Sequence, residues 1–65
     1  MRGKLHIYDI KVIETSKSQR YVMGTYQANG YNRYCIFDKY EDHPIADSIY
    51  SDHIMYFWND RYKNK

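Results

Sequence analysis

Three histidines and one cysteine are the residues from which this 65-residue chain would have to assemble a reactive centre. Asp42-His43 and Asp52-His53 repeat an Asp-His pair at a spacing of ten, and His6 stands far upstream. A metal ion needs several ligands converging on one point. On a helix, positions ten apart lie about 80° from each other, so His43 and His53 do not face one ion. Cys35 paired with a histidine makes a nucleophile only where the thiol is partly exposed in electropositive surroundings. It stands instead between Tyr34 and Ile36, in an apolar stretch where a lone cysteine usually serves as a small buried hydrophobe. One cysteine also excludes an intrachain disulfide and a four-thiolate zinc site. The three glycines are scattered, with no phosphate-cradling loop and no nucleophile elbow. No catalytic residue, metal or cofactor is expected, and the chain reads as a non-enzymatic protein.

Binding chemistry is better represented. There are nine tyrosines and two phenylalanines. The abundance of residues with AT-rich codons, a bias common in short reading frames of phages and mobile elements, accounts for part of the tyrosine excess. It does not account for the preference over phenylalanine, whose codons are equally AT-rich. A phenol joins a large apolar body to a polar tip, which suits half-exposed contact surface. Tyr26 opposite Arg33, with Tyr31 alongside, could stack a base or another ring; the same cross-strand pair also occurs as plain ribbon packing.

The formal net charge of +2 is small for a nucleic-acid binder. Its distribution is uneven. Asp38, Glu41, Asp42, Asp47 and Asp52 gather in one stretch against Lys39, while Arg2, Lys4, Lys17, Arg20, Arg61, Lys63 and Lys65 fall at the ends or in a turn.

These side chains must be positioned by a few short elements. KLHIYDIKVIE, residues 4 to 14, is rich in Ile, Val and Tyr at a period near two, with a change of phase near Ile7-Tyr8 that points to a bulge or to two partly covered faces. TSKSQ, residues 15 to 19, is a loop by composition. Residues 20 to 27 and 32 to 39 form two more strands around Asn29-Gly30, a strong hairpin signal. A two-residue type I′ turn there sets the register: Ala28, Tyr26, Gly24 and Val22 face Tyr31, Arg33, Cys35 and Phe37 on one side of the ribbon. Gln27, Thr25, Met23 and Tyr21 face Asn32, Tyr34, Ile36 and Asp38 on the other. Small residues at Gly24 and Cys35 make the first face a groove for a helix. Asp42 or His43 as cap, Pro44 in the first turn and Asp47 close behind start that helix. Its stripe runs through Ala46, Ile49, Tyr50, His53, Ile54, Phe57, Trp58 and Arg61, with Met55 out of place. HIMYFW, residues 53 to 58, reads alternatively as a strand.

The expected fold is α+β, a three-stranded antiparallel meander with one C-terminal helix packed on one face. The alternative is a small all-β barrel, SH3-like in outline, with a fourth strand at 53–58. Residues 1–65 make a single domain, with residues 1–3 and 62–65 frayed. One helix roofs one face only, so Tyr21, Met23, Tyr34 and Ile36 are left as an open patch for a partner, with Tyr26 and Arg33 next. The function expected from this is a protein-binding module, a modulator or inhibitor occupying a surface of a larger host protein. Two rivals stand beside it: a nucleic-acid-binding protein using Tyr26, Tyr31, Arg33, Lys17 and Arg20, and a structural homodimer formed through the open face. The first ten residues are interrupted by His6 and Asp9, and no run of about 20 apolar residues follows, so a cytoplasmic, membrane-free protein is expected.

Overall fold

A computed structural model describes residues 5–65. Strands β1 (Lys11–Thr15), β2 (Tyr21–Ala28), β3 (Tyr31–Asp38) and β4 (His43–Ser48) form one antiparallel sheet in the order β1-β2-β3-β4. A 3-10 turn (Ile7–Asp9) precedes β1; helix α1 (Ser51–Phe57) follows β4 and continues into a π turn (Trp58–Tyr62). The fold is α+β, with one strand more than the expected three.

The β2–β3 hairpin obeys its turn. Asn29 and Gly30 have φ of 53° and 81°, the paired positive values of a type I′ turn. Counting outward from them reproduces the register from Ala28↔Tyr31 to Tyr21↔Asp38. In β1 the bulge lies between Val12 and Glu14, later than the phase change at Ile7-Tyr8, which instead falls in the 3-10 turn. Ile13 is the extra residue and is 54% exposed.

Residues 43 to 48 are a strand, which corrects the expected helix start at Pro44. A proline tolerates an edge strand because it has no outward N–H to leave unpaired, and β4 is such an edge, with Pro44 opposite Phe37. Pairing there also satisfies the outer backbone groups of β3, which a helix starting at residue 44 would leave without partners. The fourth strand therefore lies at 43–48, and residues 53–58 are helical, so the barrel alternative does not form.

The second correction concerns the roof. Helix α1 packs on the face of Met23 and Ile36, not on the face of Gly24 and Cys35. A row of residues paired across the sheet, Glu14, Met23, Ile36 and Ala46, runs beneath it. Met23, Ile36, Ile54 and Trp58 form a buried cluster, with Tyr21, Tyr34, Ile45, Ala46, Phe57 and Tyr62 packed around it. The buried indole Nε1–H of Trp58 donates to Glu14 Oε1 at 2.9 Å, so that face supplies the one polar partner the side chain needs. The opposite face holds Ile10, Val22, Cys35 and Phe37, covered by Leu5, Ile7 and Tyr26. The gap at Gly24 is filled by the start of β1: a Cβ there would lie 2.6 Å from Ile10 Cγ2 and would collide with the Lys11 carbonyl.

The C-terminal end is tied down. Lys17 N–H and Ser18 N–H donate to the carbonyls of Lys63 and Lys65 at 3.1 Å each, where fraying of 62–65 was expected. Residues 1–3, the other expected frayed end, lie outside the described residues.

Candidate functional site

The patch expected to meet a partner is inside the protein. Met23 is 2% exposed and Ile36 0%, both beneath α1, and Tyr21 and Tyr34 are half-buried at the rim of the same cluster. The sequence shows two apolar faces but not the 3-10 segment that roofs one of them, and so α1 is free to cover the other.

Tyr26 and Arg33 do meet across the hairpin, through Asp47, a residue expected in the first turn of a helix and found on β4. Arg33 Nη2 donates to Asp47 Oδ1 at 3.0 Å, and the Tyr26 hydroxyl donates to Asp47 Oδ2 at 2.5 Å. The Arg33 guanidinium, and then the phenol, hold the Asp47 carboxyl below the usual carboxylate range. Burial, reinforced by Asp47, pushes the Tyr26 phenol up. Arg33 is thereby engaged with a carboxylate, and Tyr31 stands apart from the cluster at 69% exposed. Beside it an open depression of about 940 Å³ is lined by Leu5, Asp9, Lys11, Thr25, Tyr26, Gln27 and Asn32. Its lining carries no convergent set of reactive groups.

A second cluster sits where the β1–β2 and β3–β4 loops meet. Asp38, 4% exposed as a residue, accepts from Arg20 Nε at 3.0 Å and Nη2 at 2.9 Å, and from the backbone N–H of Tyr40 at 2.9 Å and of Glu41 at 3.2 Å. The Arg20 guanidinium is held over two rings, 5.1 Å from the Tyr21 centroid and 5.2 Å from that of Tyr40. Hydrogen bonding by Arg20, supported by the Glu41 and Tyr40 amides, lowers the Asp38 pKa. Lys17 is exposed on the neighbouring loop.

The cysteine and the histidines of the described residues stand apart from one another. Cys35 is fully buried, and desolvation, then Asp47, pushes its thiol up to about 11, so it is protonated and shielded at neutral pH. His43 lies exposed on β4, and His53, expected to pack inward, is exposed with its ring 5.3 Å from that of Tyr50. Among the described residues no three His, Cys, Asp or Glu are grouped to hold a metal ion, and no helix is long and apolar enough to cross a membrane.

Large apolar groups nevertheless remain outside. Ile49 and Tyr50, expected on the helix stripe, precede α1 and are 50% and 57% exposed; Met55 and Tyr56 are 46% and 72% exposed. The misfit of Met55 with the inward stripe is the sequence signal for this surface. No protein-family model matches the chain, and no curated protein or solved structure does either.

Proposed function

We propose that this chain is a small non-enzymatic protein-binding module that modulates a larger protein by occupying part of its surface. One observation carries the reading. Between residues 49 and 56, four large apolar or aromatic side chains, Ile49, Tyr50, Met55 and Tyr56, are directed to solvent, while Ile54 and Trp58 satisfy the core. Exposed apolar surface of this kind is characteristic of contact sites, and tyrosine is among the residues that dominate binding energy at interfaces. The Met23–Ile36 face no longer serves this purpose, so the contact surface moves to the β4–α1 junction and the outer side of α1.

The test is affinity capture with the wild-type chain and with a Tyr50→Ser/Tyr56→Ser variant. Both residues are exposed, so the variant should keep the wild-type melting behaviour. A partner retained by the wild type should be lost or weakened about tenfold or more in the variant, the scale of a single interface hot spot. Equal retention of that partner by both proteins refutes the reading.

A further inference from the structure

Three segments distant in sequence converge at the end of the sheet away from the Asn29-Gly30 turn. The Lys39 N–H donates to the Arg20 carbonyl at 2.9 Å, joining the β3–β4 loop to the β1–β2 loop. Lys17 and Ser18 in turn hold the carbonyls of Lys63 and Lys65. On this frame rings and cations lie in one continuous run. The Arg20 guanidinium contacts the rings of both Tyr40 and Tyr21. Tyr21 meets Tyr62 edge-on at 4.9 Å, and the Lys65 ammonium lies 5.6 Å from the Tyr62 centroid. Asp38 makes the arrangement rigid, because one carboxylate fixes the guanidinium and the backbone of Tyr40 together. With Arg20 against one side of its ring, Tyr40 is still 73% exposed, so the other side is open.

The charges around this platform are not cancelled internally. Asp38 is taken by Arg20, Glu14 by Trp58 and Lys63 (3.7 Å), and Asp60 by Arg61 (3.6 Å). Lys17, Lys39 and Lys65 are exposed and have no ion pair among the described residues. Glu41 and Asp42, which follow Tyr40 in the same loop, oppose an anion here, two carboxylates against the three lysines.

We propose that this end of the sheet binds a single-stranded nucleic acid, with one base stacked on the open side of Tyr40 and the flanking phosphates on Lys17, Lys39 and Lys65. An open ring beside unpaired cations is the pairing that single strands use, since their unstacked bases can reach a ring and their backbone follows the charges. The site shares no residue with the Ile49–Tyr56 surface and does not rest on that reading. Of the residues the sequence offers for such a role it keeps Lys17 as a phosphate contact and Arg20 only as the support of the Tyr40 ring, since Arg20 is held by Asp38 as Arg33 is by Asp47.

The experiment is fluorescence anisotropy with a labelled oligouridylate of about twelve nucleotides, within the span of known single-strand sites. Binding is expected at about 50 mM salt, falling roughly twentyfold by about 200 mM, as release of counterions from three phosphate contacts requires. Tyr40→Ala should weaken binding about tenfold. Lys65→Glu leaves the ring stack in place and should weaken it comparably, while Lys11→Glu, the same charge change at a distant site, and Tyr50→Ser/Tyr56→Ser should leave it unchanged. Absence of binding at the lower salt overturns the proposal. So does equal loss with Lys11→Glu, and so does equally tight binding of polyglutamate or of phosphatidylserine vesicles, which would make the surface a general anion sink.

Discussion

At the scale of single residues, the two best-anchored ionic groups are Asp38 and Asp47. Each carboxylate meets an arginine and at least one further donor, and each is held below the usual carboxylate range, chiefly by that arginine. A carboxylate whose folded pKa is depressed contributes stability above its unfolded value of about 3.9, and that contribution is lost as pH falls through the lower folded value. Stability should therefore decline below about pH 4. Asp38→Asn, which keeps the shape and removes the ionisation, should be less stable than wild type at neutral pH but should lose less on acidification. Urea unfolding of both proteins at about pH 7 and pH 3 checks this; parallel losses would assign the acid transition to other groups. Asp38 is the sharper site to probe, because it is buried and also holds the Tyr40 and Glu41 amides, whereas the Arg33–Asp47 pair is about one-third exposed and is screened by solvent.

At the scale of elements, α1 is too short to be stable alone, and its place depends on Trp58 and Ile54. Trp58 is 0% exposed and joins the helix to β1 through Glu14 as well as to the sheet through Met23 and Ile36. Trp58→Ala should remove about 3–5 kcal/mol, comparable to the whole stability of a domain this small, and leave it largely unfolded. Trp58→Phe keeps most of the packing and forfeits the indole bond, so the chain should fold with a lowered melting temperature. Thermal unfolding followed by circular dichroism separates the two outcomes. Near-equal melting of both variants would show that the hydrogen bond, not the packed volume, holds the helix. The extra strand belongs to this scale too. Asp-His-Pro at 42–44 carries the signals of a helix start, but an edge strand accepts the same proline, and the unpaired outer edge of β3 decides between them.

At the scale of the whole molecule, one sheet separates two small cores, and each has its own cover: α1 over Met23 and Ile36, and residues 5 to 10 over Val22, Cys35 and Phe37. The sheet face expected to form a homodimer, that of Met23 and Ile36, lies under α1. The chain is therefore expected to sediment as a monomer, with a melting temperature independent of protein concentration; a midpoint that rises with concentration would indicate that the Ile49–Tyr56 surface pairs with itself. The covers differ in kind. One is a helix anchored by a large indole, and the other is an irregular segment admitted because Gly24 has no side chain.

What the sequence determined by itself is local. Asn29-Gly30 dictates a type I′ turn through positive φ at two successive residues. Once that turn is placed, every cross-strand pair of β2 and β3 follows from the twofold alternation of a strand. The two apolar faces of the hairpin were legible for the same reason. The tertiary structure decided what covers each face, whether residues 43 to 48 extend or coil, and which tyrosines remain in water. Those outcomes depend on partners remote in the chain: Glu14 for Trp58, the outer edge of β3 for Pro44, and Ile10 for the space at Gly24. Backbone torsions are set by a residue and its neighbours, whereas burial is a competition among all surfaces of the folded chain, and the order of residues does not record its winner.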